Sequence, residues 1–183
     1  AGQIQGFFNI PLDELTAIAV LAKRYRESEI KNLVVVATDV GAAKRARDMA
    51  DLLNAPLAII EKQRLGNKDR VAAVNLIGEV RNKTALIVDD EIDTGGTVVS
   101  AANLLTDHGA EEVYCCAVHP IFSGDAPNAI KNSVIKETLV TDTLPLSSEK
   151  VFDGLKVVSV SGLLGEAIHR IHSGLSVGAM FSH

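Results

Sequence analysis

The stretch Val88-Asp89-Asp90-Glu91-Ile92-Asp93-Thr94-Gly95-Gly96-Thr97 decides the fold. The apolar run before it, residues 84–88, reads as a buried strand, and a helical pattern follows through Leu105. A strand therefore delivers Asp89 and Asp90 to a loop that ends in a helix. Gly95 and Gly96 lack Cβ atoms and permit positive φ, so successive backbone N–H groups converge on an anion. The helix N-terminus adds partial positive charge. Thr94 and Thr97 add hydroxyl donors for phosphate oxygens. Asp89 and Asp93 repel phosphate themselves; they suit sugar hydroxyls, or Mg²⁺ held through water. The plain alternative is a strand-to-helix turn capped by Thr94, which leaves three acids beside two glycines unexplained. No Lys follows the glycines and no GxGxxG is present, so neither a P-loop nor a dinucleotide fingerprint fits.

The segments around this loop alternate in type. Residues 33–37 (LVVVA) read as a strand, 38–41 as a turn and 42–53 as a helix. Residues 57–60 form a second strand candidate. Residues 61–70, with Gly66 and Asn67, read as a polar loop, the tip of a hairpin whose return is 71–77. Further strands are predicted at 113–118, 138–140 and 157–160, with a short helix inside 123–132. Residues 162–172 predict a helix with Leu163, Leu164, Ala167, Ile168 and Ile171 on one face. Residues 11–28 predict another, with Pro11 and two acids, Asp13 and Glu14, early and Lys23, Arg24 and Arg26 late. Strands alternating with helices imply an α/β fold with a mostly parallel sheet flanked by helices.

Composition agrees. The chain has 183 residues, 47% of them hydrophobic but only 4% aromatic and none Trp, so Val, Ile, Leu and Ala must build the core. Buried parallel strands use such residues. A net charge of −5 without a basic run argues against a nucleic-acid surface. No apolar run reaches the roughly eighteen residues of a membrane span, and the start lacks the basic region of a signal peptide. The two cysteines, Cys115 and Cys116, are neighbours on a strand and point to opposite faces. They read as small buried hydrophobes in a reducing compartment, not as a metal pair or a disulfide.

The strand followed by DDxxDTxGT resembles the phosphoribosyl pyrophosphate signature of type I phosphoribosyltransferases and ribose-phosphate diphosphokinases. Other segments favour the diphosphokinases. Gln3 to Phe8 with Ile10-Pro11 resembles that family's QIQGFF-x-IP stretch. Asp39-Val40-Gly41-Ala42 and the basic helix start behind it resemble its pyrophosphate loop, and Lys62-Gln63-Arg64 the start of its catalytic flexible loop. Residues 121–124, 140–145, 166–172 and 174–177 also match, so the resemblance covers the whole chain. Thr38, Ala42, Gln63, Glu91 and Asp125 depart from the pattern without removing a charged residue of the implied site.

The resemblance implies a type I phosphoribosyltransferase-like fold and transfer of diphosphate from ATP to ribose 5-phosphate, giving phosphoribosyl pyrophosphate and AMP. It places ribose 5-phosphate on Asp89, Asp93, Thr94, Gly95, Gly96 and Thr97, with Arg64 as a phosphate clamp. It makes Lys62 and Arg64 catalytic, and Asp39 a ligand for the cofactor Mg²⁺ beside the Val40-Gly41-Ala42 amides. It implies a cytoplasmic homo-oligomer, hexamer or dimer, without nucleic-acid or membrane partners. It further implies that residues 1–16 end an otherwise absent N-terminal domain, that 17–174 form the C-terminal domain, and that 175–183 are a tail packing on the missing half.

The residues alone leave alternatives. Asp39, at a strand end in the crevice where α/β proteins bind ligands, suits a cation or a plain helix cap. Lys62 and Arg64 suit closure over a triphosphate or a solvated surface pair. His119 follows a strand and can line the cleft, whereas His169 and His172 lack a partnering acid or Cys and read as solvated or capping. The rival functions are a phosphoribosyltransferase, for which no nucleobase hood is visible, and a non-catalytic regulatory subunit. The intact Lys62, Arg64 and 93–97 argue against the latter.

Overall fold

A computed structural model describes residues 2–28, 30–64 and 71–181. Seven strands form one sheet: β1 (Leu33–Ala37), β2 (Leu57–Arg64), β3 (Val71–Ile77), β4 (Thr84–Ile92), β5 (Glu112–Pro120), β6 (Ile135–Thr141) and β7 (Leu155–Val158). Their order is β3-β2-β1-β4-β5-β6-β7, and every pairing is parallel except β2 with β3. The chain runs outward from β1 to one edge, then returns to β4 and proceeds to the other. The crevice between β1 and β4 is thus the switch point at which α/β sheets bind ligands.

Five helices cover the sheet or flank it: α1 (Ile18–Arg26), α2 (Ala43–Leu53), α3 (Gly96–Asp107), α4 (Ala126–Lys131) and α5 (Ser161–His172). Each strand sends alternate residues to opposite faces. Val35, Ala37, Leu86 and Val88 pack with Leu21, Tyr25, Ala46 and Met49 of α1 and α2. Val34, Val36, Ala85 and Ile87 pack with Val98, Leu105, Ala126 and Ile130 of α3 and α4. The cysteines divide as expected, Cys115 to the α3 side and Cys116 to the α1 side. Both are free and fully buried, and burial pushes both thiols well above the ordinary range. A thiol reagent at about pH 8 is expected to modify neither thiol in the folded chain and both after denaturation. Rapid modification of one in the folded state would show that its face of the sheet opens.

Several expectations need correction. Residues 11–17 are irregular, and α1 begins only at Ile18, where Thr16 Oγ1 accepts its N–H at 3.3 Å. Pro11, Asp13 and Glu14 imitate a helix start locally, but residues 11–16 bury no apolar side chain; burial begins at Ala17 and Ile18. The expected loop from 61 is strand as far as Arg64, because β2 continues to pair with β3. The hairpin return at 71–77 is as expected, and residues 65–70 lie outside the described residues. α5 forms where predicted, yet Leu164, Ile168 and Ile171 are exposed and Ala167 alone is buried.

Candidate functional site

The site is a notch made by strands of unequal length. β1 stops at Ala37, opposite Val88, whereas β4 continues beside β5 to Ile92, opposite Pro120. Asp89, Asp90 and Glu91 are therefore strand residues rather than loop, on a segment that has lost its β1 neighbour. Above it lies a cleft of roughly 230 Å³ lined by Asp39, Asp89, Asp90, Asp93, Thr94, Gly95 and Thr97 among others. The two predicted loops, one after β1 and one after β4, are thus brought together.

The glycine loop turns sharply into α3. Gly95 is the N-cap of α3 with φ +79° and is buried. A Cβ there would lie 3.3 Å from Ile130 Cγ1, a tight contact, on a backbone that L side chains rarely adopt. Gly96, expected to share this freedom, is instead the first residue of α3 and is not among the residues with positive φ. No side chain caps α3, so Thr94 is not a cap and the first N–H groups of the helix remain open to a ligand. Thr94, Gly96 and Thr97 are exposed. From beneath, the turn after β5 holds the loop: Phe122 N–H donates to Ile92 O at 2.9 Å and Ser123 N–H to Asp93 O at 3.0 Å.

Across the notch, Asp39 Oδ1 accepts the Ala42 N–H at 2.9 Å. One carboxylate oxygen therefore closes the turn before α2, which has no side-chain cap, while Asp39 still lines the cleft. A Cβ at Gly41 would come within 3.1 Å of that oxygen, a tight contact. Val40 and Gly41 are exposed and Ala42 is buried.

The acids are held apart in charge. Burial raises the pKa of Asp89, and the neighbouring Asp90 carboxylate raises it further. Burial opposes ionisation of Asp90 as well, but the Asp89 side chain and the Arg45 charge outweigh it and keep that pKa low. Thr38 Oγ1 donates to Asp89 Oδ2 at 3.0 Å. Arg45 reaches Asp89 Oδ1 at 3.3 Å and Asp90 Oδ2 at 2.8 Å. Sequence reasoning did not assign Arg45, Thr38 or Asp90 to the site. Arg45 did leave a signal: cations in a first helical turn oppose the macrodipole, and α2 opens with Lys44 and Arg45 and no acid.

Lys62 and Arg64 lie on the β2–β3 hairpin, with Lys62 opposite Val74 and Arg64 opposite Val71. The last β1 partner on β2 is Ile59, so residues 60–64 run on past β1 at the site's end of the sheet. A second cleft of roughly 680 Å³ adjoins the notch and shares Asp90; Gln5, Lys44, Arg45 and His119 are among its lining residues. His119 thus lines a cleft, and its Nδ1 bonds the Thr143 hydroxyl at 2.9 Å. His169 and His172 are exposed on α5. Among the described residues, no three His, Cys, Asp or Glu side chains converge to hold an ion. No helix among them is long and apolar enough to cross a membrane.

A seven-stranded, mostly parallel sheet flanked by helices, with a glycine loop at its switch point, defines a type I phosphoribosyltransferase-like α/β domain. The model of the phosphoribosyl synthetase-associated domain matches residues 64–182, and the chain belongs to that family. It is 52% identical over 184 residues to a ribose-phosphate pyrophosphokinase of Caldanaerobacter subterraneus subsp. tengcongensis, covering 100% of this chain and 58% of that one. It is 46% identical over 183 residues to the Bacillus subtilis ribose-phosphate pyrophosphokinase, covering 100% of this chain and 57% of that one. The crystal structure of phosphoribosylpyrophosphate synthetase from Mycobacterium smegmatis superposes with a TM-score of 0.86 at 36% identity, over 95% of this chain and 56% of that one. The chain therefore spans less than two thirds of the length of these relatives.

Proposed function

We propose that the chain carries the ribose 5-phosphate and diphosphate subsites of a ribose-phosphate diphosphokinase. The observation that supports this most is the juxtaposition, across one notch, of the Gly95-turned cradle and the Asp39 loop. The open N–H groups of α3, with Thr94, Gly96 and Thr97, take the 5-phosphate. Asp89 and Asp93 accept the ribose hydroxyls and orient the sugar. The anomeric hydroxyl oxygen forms its bond to the β-phosphorus of ATP and gives its proton to solvent, the bond from that phosphorus to the oxygen bridging it to the α-phosphorus breaks, and AMP leaves with that oxygen. Lys62 and Arg64, on the strand that overruns β1, neutralise charge on the transferring group.

The site suits Mg²⁺. Its donors are hard carboxylate oxygens, and an ion that keeps several waters and binds substrate phosphates needs only one or two of them from protein. Asp39, aided by Asp89 or Asp93, would hold it. When bound, it neutralises phosphate charge. The same reading carries a cytoplasmic homo-oligomer, hexamer or dimer. Buried free thiols support a reducing compartment, and the exposed Phe7, Phe8, Ile168 and Ile171 support cover by further protein. On this reading residues 1–16 and 175–183 belong to that covered surface, outside the domain 17–174.

The test follows AMP release from ATP, ribose 5-phosphate and Mg²⁺, using the chain alone and joined to the portion of the Bacillus subtilis relative that it does not span. Release in either form supports the reading. Binding of ribose 5-phosphate without AMP release in the joined form rejects it for a regulatory subunit or a phosphoribosyltransferase. Absence of ribose 5-phosphate binding rejects the subsite itself.

A further inference from the structure

We infer that Arg45 is a positioning residue that sets which face of Asp89 is open to the sugar; the inference rests on the ribose 5-phosphate reading above. Asp89 and Asp90 are consecutive strand residues, directed by the pleat to opposite sides. Where β1 ends, one side chain can reach both, and Arg45, arriving from the first turn of α2, does so. Its two terminal nitrogens take one acid each, a fork that Lys cannot form.

The acceptors can be counted. Asp90 Oδ1 accepts the Glu91 N–H at 3.1 Å and Oδ2 accepts Arg45 Nη2 at 2.8 Å. Asp89 Oδ1 accepts the Asp90 N–H at 2.9 Å and Arg45 Nη1 at 3.3 Å. Among the described residues, Asp89 Oδ2 accepts only the Thr38 hydroxyl, at 3.0 Å. Each carboxylate oxygen has two lone-pair sites. Oδ1 of Asp89 is filled, so Oδ2 holds its remaining acceptor site. Arg45 thereby gives Asp89 a single free direction, and its charge offsets the repulsion between the adjacent acids. It approaches from the second cleft, which it lines, whereas Asp89 lines the first. The guanidinium thus acts through the carboxylates rather than on the sugar.

The test compares ribose 5-phosphate binding by calorimetry, and KM for each substrate in the joined enzyme, for the unsubstituted chain, Arg45→Met and Arg45→Lys. Expected for Arg45→Met is a weakening of ribose 5-phosphate binding by about tenfold, with MgATP affinity unchanged, as for loss of a charge-assisted pair. Arg45→Lys keeps the charge and loses the fork, and is expected to fall between. It decides the matter if Arg45→Met does not fold. Equal binding by Arg45→Lys, Arg45→Met and the unsubstituted chain overturns the inference alone. A matching loss of MgATP affinity also overturns it, by putting the guanidinium on the triphosphate. Failure of the unsubstituted chain to bind ribose 5-phosphate overturns both this inference and the reading beneath it.

Discussion

Gly95→Ala is expected to weaken ribose 5-phosphate binding by about tenfold or more, whereas Gly96→Ala leaves stability within about 0.5 kcal/mol. The contrast follows from geometry. Gly95 has φ +79°, a region that costs an L-residue about 1–2 kcal/mol. Its added methyl would also press on Ile130 at 3.3 Å and Ala126 at 3.6 Å. Both neighbours are buried, so the loop rather than the core must move. The displaced loop carries Thr94 and the first amides of α3 away from the anion. At Gly96, by contrast, the nearest atom to an added Cβ is Thr94 Oγ1 at 3.8 Å, an ordinary contact. Calorimetric titration of ribose 5-phosphate with a denaturation curve for each variant checks both statements. Undiminished binding by Gly95→Ala would mean that the phosphate does not sit in this loop.

Phe122→Ala is expected to lower global stability by about 3–5 kcal/mol, the range for emptying a large aromatic site. Phe122 is 1% exposed, and its ring meets Phe152 edge-on at 6.0 Å. In a chain with so few aromatics, little nearby can refill the space. The residue also holds a left-handed φ of +48°, which the ring's burial sustains. Its N–H bonds Ile92 O, and the next residue bonds Asp93 O, so the turn is a shelf beneath the cradle. Urea denaturation should show the loss as a lowered midpoint. A midpoint within experimental scatter of the unsubstituted chain would mean that Ile130 and Phe152 collapse into the gap.

The parts of the site that were legible in sequence are those written in consecutive residues. The acids and glycines of 89–97 announce their chemistry because strand, turn and helix start follow within ten positions. The opposed cysteines were legible because a strand has a strict two-residue period. The start of α1 was not, since a Pro and two acids mark a helix start only where packing sustains the helix, and here packing begins at Ala17 and Ile18. The real end of β4 was hidden as well. Asp89 to Glu91 look like loop by composition, but pairing with β5 keeps them extended. Arg45 lies 44 positions from Asp89, and only the parallel crossover joins them. Its one local trace, a cation where the helix dipole disfavours one, becomes meaningful once the acids are known to lie opposite.

The early end of β1 reaches beyond making room. A sheet strand that loses its neighbour leaves backbone amides in need of other acceptors, which water or side chains supply. Along this overrun the carboxylates bond main chain directly: Asp89 takes the Asp90 amide, and Asp90 takes the Glu91 amide. The two acids are a prosthetic edge for the sheet as much as a surface for a sugar. A hydroxyl that bonds Asp89 Oδ2 leaves both amide bonds in place, so the site can fill while the tip of β4 stays laced.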